Sequence, residues 1–261
     1  MLLTDQEVCW FSTLNLGPIV KVEQFTHALT NQVFLVSLAN KNKVVFKRLN
    51  LAARDLEKRV CELAVHKLAS KQGLTNNVIA DCQRFRVLSY IEGELLSDMS
   101  VTTDILNLLA DRLTLIHQLP PQYATTQDLH GELLHLKSEI NQQIDEGEFS
   151  HFLELAKTLD NESVKDTLCH GDLSLNNVLR KANGSIKVLD WEYAVLACPA
   201  YDLGFCGAIN QFNQKQLGLL IECYYQKNKK DIKLSLVLLK RQCDLYFSFF
   251  CYLNNLWAMC F

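Results

Sequence analysis

No C-x-x-C pair occurs among the ten cysteines of this 261-residue chain. Cys9, Cys61, Cys82, Cys169, Cys198, Cys206, Cys223, Cys243, Cys251 and Cys260 stand singly, mostly among apolar neighbours, where a free thiol acts as a small hydrophobe. The spacing of a structural zinc site or a disulfide framework is missing. Also missing is a long basic run, the nearest being Lys227, Lys229 and Lys230, which reads as a solvated helix end. With a net charge of −3, no broad nucleic-acid footprint is expected. No segment reaches the ~20 consecutive apolar residues of a membrane span. Leu245–Phe261 comes nearest, but it holds Asn254 and Asn255 and reads as a buried helix. Met1-Leu2-Leu3-Thr4-Asp5 lacks the basic region and apolar core of a signal peptide, so reduced thiols in a cytoplasmic setting are expected. There is no internal repeat and no low-complexity linker.

What is present divides the chain in two. The first part reads as β-rich with one helix. Gln32–Leu38 and Lys43–Lys47 are β-branched and aromatic runs, and Ala39-Asn40-Lys41-Asn42 between them supplies a hairpin turn. Leu56, Val60, Leu63, Ala64 and Leu68 recur at helical spacing and predict a helix over about 52–71, stopped by Gly73. Phe85–Ile91 reads as a strand and Glu92-Gly93-Glu94 as a hinge. Long helices follow at Asp104–Gln118, at Gly131–Ile144 and from Leu217 onward. The expected fold class is α+β, with a small β-rich N-lobe over 1–89, a hinge over 90–96 and a larger, mostly helical C-lobe over 97–261.

Residues 168–204 interrupt the helices and carry the chemistry. Asn183-Gly184 is a strong hairpin signal, because a type I′ turn needs φ > 0 at both central residues. Counting outward pairs Ala182 with Ser185, Arg180 with Lys187, Val178 with Leu189, and Asn177 with Asp190. Directly opposed residues hold their Cβ atoms ~4.5–5.5 Å apart. An amide oxygen and a carboxylate are therefore expected side by side at the open end of the hairpin. Such hard oxygen ligands suit Mg²⁺, which keeps waters and takes substrate phosphates for its remaining positions. Asp172 lies five residues before Asn177, the spacing between the Asp and the Mg²⁺-binding Asn of a kinase catalytic loop. His-Gly-Asp or Asn-Gly alone is usually structural. Their combination with Leu189-Asp190-Trp191-Glu192 points to a phosphotransferase.

At these residues the chain resembles the aminoglycoside phosphotransferase and choline kinase superfamily, relatives of the protein kinases. The family's His-Gly-Asp-Leu-x-x-x-Asn-x-Leu is met by His170, Gly171, Asp172, Leu173, Asn177 and Leu179. Val188-Leu189-Asp190-Trp191-Glu192-Tyr193-Ala194 looks most like the choline, ethanolamine and thiamine kinase branch. The resemblance implies a protein-kinase-like two-lobe fold using ATP and Mg²⁺. It implies Asp172 as the base for the alcohol proton, Asn177 and Asp190 as metal ligands, and His170 and Asp202 as supports of the catalytic loop.

On the nucleotide side, Lys47 ends the strand Val-Val-Phe-Lys as the phosphate-binding lysine does in V-A-I-K. Its helix partner is Glu62 by similarity, through Arg59-x-x-Glu62, or Glu57 by periodicity. The phosphate-covering loop reads Thr26-His27-Ala28-Leu29-Thr30-Asn31-Gln32 and contains no glycine, and its Thr30 and Asn31 match the family's Thr-Asn. Tyr90 and Ile91 resemble the connector that binds adenine. For the acceptor, Glu192, Trp191, Tyr193, Tyr246, Tyr252 and Trp257 offer an acidic and aromatic set suited to a cation. The leading expectation is a kinase of choline, ethanolamine or thiamine, with no nucleic-acid partner and no membrane span. The alternatives are an aminoglycoside or sugar kinase, and a nucleotide-binding pseudokinase.

Overall fold

Apolar alternation builds the N-terminal sheet. The computed structural model describes residues 2–25, 30–50, 56–230, 232 and 234–260, the side chains of Leu56 and Glu57 excepted. In β2 (Gln32–Leu38), Phe34, Val36 and Leu38 are buried while Val33 and Leu35 stay half-buried on the other face. β1 (Ile19–Phe25), β3 (Lys43–Arg48), β4 (Val78–Asp81) and β5 (Phe85–Ser89) complete an antiparallel sheet of order β1-β2-β3-β5-β4. One face is closed by α1 (Asp5–Ser12), a helix the sequence reading lacked, started by a Thr4–Glu7 capping box. Trp10 and Phe11 of α1 meet Phe46 of β3 at ring-centroid distances of 6.1 and 6.4 Å. By strand alternation, Val33, Leu35, Val45 and Lys47 lie on the opposite face, toward the rest of the molecule.

α2 (Leu56–Lys71) departs from its expected orientation. Val60, placed by periodicity on the apolar stripe, is 60% exposed. The buried positions are Arg59, Glu62, Val65, His66 and Ala69, spaced three and four apart as one helix face requires. Three of the five are polar, so a hydrophobicity pattern does not find them. Val65, Ala69 and Leu74 just beyond α2 join the large C-terminal core, whereas the sheet and α1 form a separate cluster.

The C-terminal lobe packs α3 (Thr103–His117), α4 (Leu129–Glu139), α5 (Glu146–Glu162), α6 (Pro199–Ile209), α7 (Gln214–Asn228) and α8 (Leu236–Ala258) around that core. The helical stretch from Leu217 is thus two helices, started by the caps Asn213 and Ser235, and α5 is an addition to the sequence reading. α8 buries Tyr246, Phe249, Phe250 and Tyr252, and no helix among the described residues is long and apolar enough to cross a membrane. Two small sheets carry the loops of interest. β6 (Glu94–Leu95), β9 (Val178–Arg180) and β10 (Ile186–Val188) form one, in the order β10-β9-β6. β7 (Thr125–Thr126), β8 (Thr167–Cys169) and β11 (Val195–Ala197) form the other, in the order β7-β11-β8.

The β9–β10 hairpin is real, but its register differs by one residue from the expected one. Arg180 pairs with Ile186, Leu179 with Lys187, and Val178 with Val188. The cause is the turn. Gly184 N donates to Lys181 O at 2.8 Å, and Lys181 N to Ser185 O at 2.9 Å. Gly184 has a φ of 80°, while Asn183 is absent from the positive-φ residues. This is a three-residue loop with glycine in the left-handed position rather than a two-residue type I′ turn. Asn177 therefore faces Leu189, whose N–H donates to its carbonyl at 2.7 Å, and not Asp190.

Candidate active site

The catalytic loop leaves β8 and is fixed from beneath by a buried carboxylate. Asp202, in the first turn of α6, accepts the backbone N–H groups of His170 at 2.7 Å and Gly171 at 2.9 Å. His117, at the end of α3, donates to the same carboxylate at 3.1 Å and meets the Tyr224 hydroxyl at 2.7 Å. Burial raises the Asp202 pKa, and the His117 bond and charge more than offset it, leaving the carboxyl below its usual range. Gly171 has a φ of 76°, and a Cβ there would lie 2.1 Å from the Tyr193 carbonyl oxygen. Only glycine fits this bend.

His170 ties the loop to the strand that follows. Its Nδ1 accepts from the Asp172 N–H at 3.2 Å, so Nε2 carries the proton that reaches the Leu189 carbonyl at 3.0 Å. Burial lowers its pKa and keeps the ring neutral. Asn177 Nδ2 donates to the Asp172 carbonyl at 2.9 Å and to its Oδ2 at 2.8 Å. Those bonds orient the amide and leave its oxygen as the end suited to a cation. Asn210, which the sequence reading did not single out, holds the far side of the loop. Its Oδ1 accepts from Leu175 N at 2.7 Å and its Nδ2 donates to Leu173 O at 3.1 Å.

Asp190 reaches the site through its backbone rather than through strand pairing. Its φ is 59°, in the left-handed region, so the chain turns as it leaves β10. Its Oδ1 accepts from Lys47 Nζ at 2.7 Å, a contact spanning 143 residues. Burial would raise the Asp190 pKa, and the adjacent ammonium holds it below the usual carboxylate range. Burial likewise lowers Lys47, but Asp190, Glu62 and Glu192 together raise it and keep it charged. Asp190 and Asn177 provide only oxygen ligands, and Asp190 is ionised. That donor set fits Mg²⁺.

Glu62 is buried, but its carboxylate is bonded to two arginines, Arg59 at 2.9 Å and Arg86. It acts on Lys47 through its charge, while the Lys47 ammonium donates to Asp190. The side chain of the rival Glu57 lies outside the described residues. Asn31 is buried, and its Nδ2 donates to Glu192 Oε2 at 2.8 Å. Thr30 is half-buried beside it, and loop positions 26–29 lie outside the described residues. Tyr90 and Ile91 are half-buried between β5 and β6, with the Lys43 ammonium 5.4 Å from the Tyr90 ring centroid.

The expected acceptor set does not assemble. Trp191 is 1% exposed, donates from Nε1 to Val188 O and packs edge-on against His170. Tyr246 is 0% exposed, and its hydroxyl donates to Gln127 Oε1 and meets the Ser163 hydroxyl. As placed, neither can touch a ligand. Trp191 is taken up by packing against the His170 loop and Tyr246 by helix packing, which corrects the expectation for both. Glu192 is buried against Asn31 and Arg59. Trp257 and Tyr193 are each 39% exposed, and Tyr193 adjoins Gly171.

The fold has relatives of known structure. A choline kinase from Cryptosporidium parvum superposes with a TM-score of 0.73 at 18% identity, over 98% of this chain and 90% of that one. LicA, a choline kinase from Streptococcus pneumoniae, solved in complex with AMP, gives 0.68 at 17%, over 99% and 97%. The macrolide 2′-phosphotransferase MphH from Brachybacterium faecium gives 0.65 at 15%, over 92% and 88%. No curated protein matches the sequence. The likeness confirms the α+β, protein-kinase-like class. A family model described as the phosphotransferase enzyme family, APH, matches residues 21–222, and the chain belongs to that family.

Proposed function

We propose that this protein transfers the γ-phosphate of ATP to the hydroxyl of a small alcohol, with Asp172 accepting the hydroxyl proton. One observation carries the reading. Two bonded pairs, Asp172 with Asn177 and Asp190 with Lys47, are linked through Leu189, whose carbonyl meets His170 and whose N–H donates to Asn177. The half-buried strip Val33, Leu35 and Val45 on the lobe-facing side of the sheet offers an apolar bed for a nucleotide base. Lys47 is the residue to take the α- and β-phosphates, exchanging Asp190 for them. Asn177 and Asp190 would hold Mg²⁺, which would supply positive charge to the phosphates. Asp172 then needs only to receive a proton as the alcohol oxygen attacks. Base assistance of this kind contributes roughly 10²–10⁴ in rate, and positioning and electrostatics supply most of the rest.

For the acceptor, the choline, ethanolamine or thiamine class remains the reading, supported by the Val188–Ala194 resemblance and by the choline kinase folds. Of the expected aromatics, Tyr193 and Trp257 are the exposed ones. A coupled ADP-release assay over choline, ethanolamine, thiamine, an aminoglycoside and a macrolide tests the class. Turnover on the cationic alcohols, cut roughly 10²–10⁴-fold in Asp172→Asn with nucleotide binding retained, supports the proposal. Full turnover in that variant overturns the base assignment. Nucleotide binding with no turnover on any alcohol would identify a pseudokinase.

A further inference from the structure

Helix α2 is fastened at both ends to the strand segment that carries Asp190. At its C-terminal end, Val188 N donates to Leu74 O at 2.8 Å, and Lys187 Nζ donates to Gly73 O. At its N-terminal end, Arg59 Nη1 reaches Glu192 Oε2 at 3.4 Å and Glu62 Oε2 at 2.9 Å. The anchors at 187–188 and 192 flank Asp190. Between them, Val65 and Ala69 are part of the C-lobe core. The other terminal nitrogen of Arg59 donates to Asn31 Oδ1 and to Asn50 O, each at 3.0 Å. One guanidinium thus joins α2, the segment that carries Asp190 and Asn31 of the phosphate-covering loop. Its Nε has no acceptor among the described residues.

We propose that Arg59 is a positioning residue for the metal site: by bridging Glu62 and Glu192 it pins the segment bearing Asp190 against α2. This rests on the phosphotransferase reading for its functional consequence, but the pin is a mechanical claim with its own readout. A lysine keeps the charge but cannot serve acceptors on two sides with a planar fork. Glu192→Gln keeps the shape and removes the charge, and guards against a variant at Arg59 that fails to fold.

The test combines amide hydrogen exchange with nucleotide binding. In metal-free protein, Arg59→Lys and Glu192→Gln should each speed exchange across 189–193, and the double variant should be no faster than the worse single, since both remove one contact. Mg²⁺-dependent ADP affinity, followed by thermal shift, should fall roughly 10–100-fold, as for other groups that orient metal ligands. ADP affinity in EDTA should fall by a clearly smaller factor, since only the contacts of Arg59 and Glu192 to Asn31 and Lys47 are then disturbed. Unaltered exchange over 189–193 in Arg59→Lys overturns the proposal, as does an equal loss of affinity with and without Mg²⁺. If the unmodified protein binds no nucleotide under either condition, the phosphotransferase reading fails, and the exchange data still decide the pin.

Discussion

Gly171 and Gly184 share a backbone state but not an environment. Their φ values are 76° and 80°, yet a Cβ at Gly171 would strike the Tyr193 carbonyl, while one at Gly184 meets nothing within 4 Å. Gly184→Ala should therefore cost only the left-handed penalty, about 1–2 kcal/mol. Gly171→Ala adds a backbone collision and should cost about 2–4 kcal/mol by urea unfolding. Equal losses would mean that the tight fit between the catalytic loop and Tyr193 is wrong. Gly171, Asp172 and Asn177 were legible because a short contiguous motif fixes their local geometry. Arg59, His117 and Asn210 were not, because each works through contacts formed only when distant segments meet, 133 residues apart for Arg59 and Glu192.

At the scale of the element, α2 shows why periodicity misleads near a charged site. The stripe through Leu56, Val60 and Ala64 suggested a buried face that the structure turns outward at Val60. The true inward face holds Arg59, Glu62 and His66, whose burial is compensated by hydrogen bonds and opposite charge rather than by hydrophobicity. Val60→Lys should change stability by less than about 0.5 kcal/mol, as surface substitutions do. Val65→Ala should cost about 2 kcal/mol, because it opens a hole in the C-lobe core. Reversed urea-melt results would restore the hydrophobic stripe. The β9–β10 hairpin teaches a related lesson. Asn-Gly located the turn but not its length, and one extra loop residue moved every pairing by one. Asp190 still reaches Lys47 because its own left-handed φ re-aims the chain after the ladder ends.

Across the whole molecule, the interface between sheet, α2 and C-lobe is built on buried ionisable groups, and that sets its response to acid. His66 is buried, with Nε2 against the Asn76 carbonyl at 3.0 Å. Burial lowers its pKa; the Asn76 bond opposes this, Arg86 and Lys47 push it down further, and Glu62 pulls it up, leaving it at about 4. The unfolded chain binds the proton near the ordinary value of 6.5, before the folded one does. Stability therefore rises with pH between about 4 and 6.5 and is fully present above that window. One group with this shift accounts for roughly 3 kcal/mol across the interval. His170, lowered by burial, acts with the same sign. Asp190, Asp202 and Glu62 have folded pKa values below the usual range, so their contribution is present above it and is lost only as pH falls further, through those lowered values. Acid unfolding should thus run in two overlapping stages, histidine first and carboxylates after. His66→Gln keeps a donor for Asn76 but does not titrate. Urea unfolding of this variant between pH 7 and 4 should lose most of the first-stage slope and retain the second. An unchanged slope would show that His66 is protonated, or reaches water, in the folded protein, and that α2 packs less closely against Asn76 than the distance implies.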